Sequence, residues 1–328
     1  MTRSQSPSTP DGILRGLWPA VAGGTCWVAA LLVIRPDPLG FEWSQVLLML
    51  SPLVLVPLGL RLMFDDAVTC WPALVFRTAR AAQLPAALLL GSAFLVPRGI
   101  MAAVMALPWA TTTGLIALYG VMRVRRRGFR PLADLCIDAG LVYVVVGSIW
   151  AIFDRLGLRP LGFAGVIVLL TAIHFHYAGF VLPLMTGFPM RAVGGSVAAV
   201  AGVGVITGVP LVAVGITATQ IGLGPFLECL AAWLTALGGV LTAWLHSRLA
   251  AQRHRRPLAR GLWAVSAGSL AASMILAALY GSRSYAPAMA LDVPWMQALH
   301  GSANALGFGL AGFLAWALDG AHPARRAN

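Results

Sequence analysis

The sequence predicts an all-α protein, a polytopic transmembrane helix bundle of about ten spans with both termini cytoplasmic. Three observations predict it. Of 328 residues, 59% are hydrophobic and only 10% are charged, against roughly 25% charged in soluble domains. Several apolar stretches approach or exceed the ~18 residues that mark a membrane-crossing candidate. All 23 basic residues are Arg, and they concentrate between those stretches. The short alternating segments of a β-barrel are not seen.

The formal net charge is +12. In a soluble protein that excess would suggest nucleic acid. Arginines between apolar runs instead set orientation and meet anionic headgroups, so the expected partner is the lipid bilayer and not nucleic acid. Four scattered cysteines (Cys26, Cys70, Cys136, Cys229) with no C-x-x-C pair argue against a zinc ribbon, a redox dithiol or a disulfide framework.

Residues 1–12 are polar with two prolines and are expected to form a disordered cytoplasmic tail. Residues 13–320 form a single transmembrane domain, and 321–328 a second cytoplasmic tail. Span 17–34 is too long for a signal-peptide core and has no small-residue cleavage site, so it is expected to be retained. Span 44–62 follows. Asp65 and Asp66 start the next segment and Arg77 and Arg80 lie near its end, a charge order that suits a helix dipole. It reads as an interfacial helix near 65–82. Residues 84–97 are apolar but give only ~21 Å of helix, short of the ~30 Å hydrocarbon core. They either span with help from the preceding alanines or re-enter. Further spans are expected at 99–122, 133–153, 161–185, 192–218, 225–246, 261–281 and 295–318.

Basic loops at Arg123–Arg130 and Arg248–Arg260 are separated by four spans, as two cytoplasmic loops require. Extended outward, that parity places both termini inside, with 18 of the 23 arginines. The setting is a bacterial inner membrane.

Polar residues inside such spans are costly, and are functional candidates by default. The sixth span carries His174 and His176, with His174 expected ~20 Å along it, near the midplane. Thr171, His174 and Tyr177 share one helical face. His176 points about 200° away from His174 on a straight helix. Either the two rings meet different neighbours, or the helix is distorted where Gly179 is permissive and Pro183 withholds an N–H. On the tenth span His300 and Asn304 stand one turn apart, so Asn304 can orient the imidazole. Asp134 is expected to pair at the surface with Arg130, four residues earlier. Asp138 lies deeper without a partner nearby in sequence. Glu228 sits in the first turn of the eighth span, where the helix dipole favours it. Ser266, Ser269 and Ser273 line one face of the ninth span, and Gly204-x-x-x-Gly208 marks close packing of the seventh.

No Walker loop, dinucleotide fingerprint, H-E-x-x-H or G-x-S-x-G is present, so nothing points to an enzyme of those classes. His-x-His is awkward as a metal chelate on a regular helix.

The run Leu170-Thr-Ala-Ile-His174-Phe-His176-Tyr-Ala-Gly-Phe180 resembles the hallmark of YndJ-like membrane proteins. The stretches around Asp134 and Asp138, Glu228, and His300-Gly-Ser-Ala-Asn304 resemble further positions of that family. The resemblance covers most of the chain from about Asp134 onward. It implies a helical membrane fold and the label of transporter, with no substrate attached.

The leading expectation is a transporter or proton-coupled permease for a small polar solute or a proton. Its site would be built from His174, Tyr177, His300 and Asn304, with Thr171, His176, Asp138 and Glu228 as further members. No cofactor is expected under it. A second reading is a membrane redox or metal protein, with His174 or His176 and His300 as ligands to haem or copper. A third is a structural or sensory subunit whose histidines pack.

Overall fold

The structure, a computed structural model, describes residues 10–63 and 71–319. Among these residues the regular structure is entirely helical. Ten helices are long and apolar enough to cross a membrane. They are α1 (Pro10–Ile34), α2 (Phe41–Leu62), α3 (Trp71–Ala93), α4 (Ile100–Arg127), α5 (Leu132–Leu156) and α6 (Gly165–Val193). The remainder are α7 (Gly195–Gln220), α8 (Phe226–Ala250), α9 (Pro257–Gly281) and α10 (Pro287–Asp319, opening with a 3-10 turn). The tail at 321–328, Asp65, Asp66 and Cys70 lie outside the described residues. Helix α1 already begins at Pro10, inside the segment expected to be a disordered tail.

The sequence reading of an interfacial helix near 65–82 and a separate short span at 84–97 is corrected. From Trp71 the chain is one helix of 23 residues, ~34 Å long and sufficient to span. Ala79, Gln83, Ala86, Ala87 and Leu90 are buried along one side, while Arg77 faces outward. The arginines suggested an interface, but both lie within one long helix: Arg77 on its exposed side, and Arg80 half-buried with its guanidinium 6.0 Å from the Phe76 ring. The Gln83 amide nitrogen donates to the Pro52 carbonyl at 2.5 Å, while its Oε1 is buried without a hydrogen-bond partner.

Helix α4 also runs five residues past its expected end. Arg123 and Arg127 are therefore one helical turn apart rather than in a loop. Arg123 and Arg127 are half-buried while Arg125 and Arg126 are exposed. Both inward arginines reach Asp138 on α5, Arg127 at 2.5 Å and Arg123 by a hydrogen bond from Nε. The missing partner of Asp138 is thus on another helix. Asp134, expected to pair with Arg130, is buried and bonds Arg191 of α6, with Arg127 at 3.5 Å and Arg123 at 3.9 Å.

Helix α2 is the most enclosed of the ten and α1 the least. Three helices widen into π turns, at Ser51–Leu55 in α2, Tyr177–Val181 in α6, and Met296–Gly301 with Ala303–Leu310 in α10. In α6 the cause is visible. Pro183 has no N–H for the Gly179 carbonyl, and the Leu182 N–H reaches back five residues to Tyr177. The three meet one another. The Tyr177 hydroxyl donates to the Leu47 carbonyl at 2.6 Å, and Ser44 donates to Gln297 at 2.7 Å. A Cβ on Gly309 would lie 3.2 Å from Leu55 and 3.3 Å from Val181. Helices α7 and α8 pack backbone to backbone: a Cβ on Gly204 would sit 3.2 Å from the Gly238 Cα, and one on Gly208 2.9 Å from the Thr235 Cα.

Candidate functional site

Between α2, α5, α6, α7, α8, α9 and α10 lies a cavity of about 410 Å³, within the range of small-molecule sites. Its walls are mainly aliphatic and aromatic. Thr171, His174, Tyr177, Glu228, His300 and Asn304 line it, whereas His176 and Asp138 do not. Six of the eight candidates thus share one space. The other two belong to packed helix interfaces.

The cavity is one-sided. Glu228 in the first turn of α8, Arg283 just past α9 and Thr217 near the end of α7 stand at one end. Leu182, Ala236, Met274 and Phe308 close it at depth. Beyond them the bundle is filled by Phe188, Trp263, Phe313 and Trp316, each at most 2% exposed. The ion cluster of Arg123, Arg127, Arg191, Asp134 and Asp138 lies at that far end.

Helix α6 starts at Gly165 rather than 161, so His174 is only ~14 Å along it, in its first half rather than at its midpoint. Its ring lines the cavity, with the Val209 backbone and His300 as its polar neighbours. The Nε2 of His174 is buried without a hydrogen-bond partner. His176 is the opposite case. Its Nδ1–H donates to the Ala172 carbonyl at 2.8 Å, and its Nε2 accepts from the Trp109 indole at 3.0 Å. An indole only donates and a carbonyl only accepts, so His176 is held as one neutral tautomer. Of the two readings of His-x-His, the first holds for the rings, which meet different neighbours. The distortion is also present, but it begins at Tyr177, after both histidines.

On α10 the His300 Nδ1–H donates to the Ser273 carbonyl at 2.8 Å, leaving Nε2 as acceptor. The Asn304 amide lies 3.2 Å from that Nε2 and 2.9 Å from the His300 carbonyl, and Ser273 donates to the Asn304 oxygen at 3.1 Å. Glu228 pairs with Arg283 at 2.7 Å, and the Arg283 guanidinium lies over the Tyr280 ring at 4.4 Å. At the mouth an ion pair therefore ties the start of α8 to the end of α9.

Sequence reading missed several neighbours. Gln297, His300 and Asn304 form a stripe at i, i+3 and i+7, which was legible; Gln297 donates to the Gly40 carbonyl at 2.8 Å. Arg283 was one of the few arginines away from the basic loops, and that scarcity was its signal. Trp109 carried none. His246 looked like the end of a span; α8 continues to Ala250, and His246 is fully buried between Ser266, 2.9 Å from Nδ1, and the Met185 carbonyl, 2.8 Å from Nε2. Among the described residues no group of three or more His, Cys, Asp or Glu side chains is arranged to hold a metal ion.

Comparison with known proteins finds a family match and a curated relative. The Bacillus subtilis (strain 168) protein named "Uncharacterized membrane protein YndJ" is 25% identical over 220 residues, which is 66% of this chain and 39% of that relative. The chain thus matches about two fifths of the relative's length. No solved structure matches. The family profile described as YndJ-like protein matches residues 46–308, a stretch that includes every cavity-lining residue except Ser44. This multi-pass membrane protein belongs to the YndJ-like family.

Proposed function

We propose that the protein is a permease-type carrier whose binding site is the one-sided cavity. The chain would form one membrane unit in a bacterial inner membrane with both termini cytoplasmic. Arginine supports that orientation: 18 of 23 would then face the cytoplasm. The cavity would open away from the cytoplasm, at the Glu228–Arg283 end. The observation that carries the reading is a 410 Å³ space with His174, His300 and Asn304 on its walls and a fully packed core beneath it. Carriers of alternating-access type hold their substrate at such a place between helices while one side is closed. The π turns of α2, α6 and α10 are local irregularities that line a cavity, where a membrane protein tolerates them.

Cysteine accessibility tests the reading. In a variant lacking native cysteines, Ala277→Cys and Ala213→Cys on the cavity wall are expected to react with a small polar maleimide from the non-cytoplasmic face of spheroplasts. Labelling of both from the cytoplasmic face alone would reject the orientation. Equal protection from both faces would reject an open site.

The haem or copper reading draws on the same unpartnered His174 nitrogen. A Soret band or stoichiometric metal in the purified protein would move the assignment to it.

A further inference from the structure

We propose that the cavity takes a single-chain anionic amphiphile, its apolar body against the inner wall and its charged head on Arg283 at the mouth. This deepens the carrier reading and rests on it, naming an amphiphile in place of a small polar solute.

The polarity of the cavity runs along its length. Among the described residues that line it, Glu228 is the only carboxylate and Arg283 the only guanidinium, and both stand at the mouth. At depth the wall is Leu170, Ile173, Leu182, Ile216, Met274 and Phe308. The polar side chains between these ends are already bonded to the protein. Thr171 donates to the Ile167 carbonyl and Thr235 to the Ala231 carbonyl, each at 2.8 Å. Tyr177 donates to the Leu47 carbonyl, and Ser273, His300 and Asn304 bond to one another. The unpartnered Nε2 of His174 has no exposed surface. A small polar solute at depth would give up its water and find few bonds in return, which is costly. An apolar body gives up no hydrogen bonds there.

The mouth supplies what the wall lacks. Arg283 gives one N–H to the Tyr280 carbonyl at 3.1 Å and one to Glu228 at 2.7 Å. A guanidinium carries five N–H donors, so others remain for an entering acceptor. Its side chain is 33% exposed, against 6% for that of Glu228. An arriving head therefore meets the cation before the carboxylate, and a negative head makes the stronger, charge-assisted bond. The turn between α7 and α8, beside Glu228, exposes Ile221, Leu223 and Phe226. Exposed apolar groups of this kind mark a membrane-facing surface, so the mouth lies where amphiphiles concentrate. Size limits the body. At ~30 Å³ for each water-sized group, 410 Å³ takes one chain of about a dozen carbons and not the two long chains of a phospholipid.

Four probes separate the possibilities: decanesulfonate, 1-decanol, decyltrimethylammonium and butanesulfonate. The first three share a body and differ in head, and the last keeps the anionic head on a short body. Binding is measured by equilibrium dialysis against the purified protein in nanodiscs of phosphatidylcholine, with empty nanodiscs subtracted. The expected result is saturable binding of decanesulfonate, about tenfold tighter than decanol (about 1.4 kcal/mol), with decyltrimethylammonium and butanesulfonate weakest. Glu228→Gln, which removes the competing carboxylate, should tighten decanesulfonate several-fold. Glu228→Gln combined with Arg283→Gln, an uncharged pair, is expected to bring decanesulfonate and decanol to equal affinity. Gel filtration confirms that each variant is folded. Equal affinities for decanesulfonate and decanol in the unaltered protein, tightest binding of the cation or of butanesulfonate, weaker decanesulfonate binding after Glu228→Gln, or a head preference that survives the double substitution each overturn the proposal. Ala277→Phe, which fills the cavity, tells the two levels apart. If one of these results appears and Ala277→Phe removes the binding, the cavity is a site and only the amphiphile rule falls. Without saturable binding of any probe, both fall.

Discussion

His174 and His176 are two residues apart on one helix and live under opposite rules. The His176 side of α6 is packed and satisfied. Both ring nitrogens are bonded, the Trp109 and His176 rings stack at 6.0 Å, and Gly147 of α5 lies so close that a Cβ there would come within 2.6 Å of Nδ1. The His174 side faces an open space with one nitrogen unmade. The packed side locks α4, α5 and α6 together, and at its far end Arg191 bonds Asp134. The cavity side gives up stability at one atom. Proteins commonly make that trade at sites meant for something else. Identical residue types in one motif therefore divide between holding the fold and forming a site, and substitutions on the two sides should differ in sign.

The largest effect is expected in the ion cluster that closes the packed side. Asp138 is 1% exposed and binds Arg123 and Arg127. Asp138→Ala leaves two half-buried guanidiniums with only the longer contacts to Asp134 and should cost up to about 3–5 kcal/mol. The apparent Tm by fluorescence-detected gel filtration is expected to fall by many degrees, or the protein to fail to accumulate. A stability near that of the unaltered protein would mean that the cluster is a solvated surface network, worth little.

Next is Gly147→Ala. The added methyl would meet His176 Nδ1 at 2.6 Å and the Ala172 carbonyl at 3.0 Å. One is a ring held at both nitrogens and the other is backbone, so neither yields easily. Overpacking of this kind costs about 1–3 kcal/mol. By contrast Gly268→Ala on α9, where nothing lies within 4 Å of the new methyl, should be neutral or slightly stabilising by helix propensity. If the two variants melt alike, α5 and α6 are not in the close contact described.

Trp109→Phe keeps most of the ring packing and deletes the indole N–H that His176 accepts. It should cost about 1 kcal/mol, since hydrogen bonds between membrane helices average ~0.6 kcal/mol and an orphaned buried acceptor adds to that. The double variant Trp109→Phe with His176→Leu should lose less than the sum of the singles, because the two residues share one bond.

How much of this was legible in the sequence follows from the range of the forces involved. Hydropathy reports crossing helices directly, so ten spans emerged from composition and length. Helical spacing reports what shares a face, so Thr171, His174 and Tyr177 grouped together, as did His300 and Asn304. Sequence spacing is silent on what stands across the gap. Nothing in the chain near Asp138 names Arg123, and nothing near His176 names Trp109, because those partners are on different helices. Charge misled in two ways: Arg77 and Arg80 were read as marking an interfacial helix, and Arg123 and Arg127 as marking a loop, whereas all four sit in long helices. Arg123 and Arg127 are there because the ion partner lies across the interface.

The smallest effect is the one that most sharply divides the two sides. His174→Leu removes the unpartnered Nε2 and keeps an apolar side chain of adequate size in an apolar wall. Removing a buried polar atom that makes no bond is neutral or stabilising, and here the Val209 backbone contact is lost in exchange. The net change in stability is expected to be within about 1 kcal/mol of zero, with a rise in Tm as the diagnostic direction. His176→Leu, which strands the Trp109 indole and the Ala172 carbonyl, should lower Tm under the same conditions. A pair of equal losses would show that His174 is as firmly bonded as His176, and the contrast between the two rings would go with it. Opposite signs from neighbouring histidines would be hard to obtain from packing alone, since two such rings fill nearly the same volume.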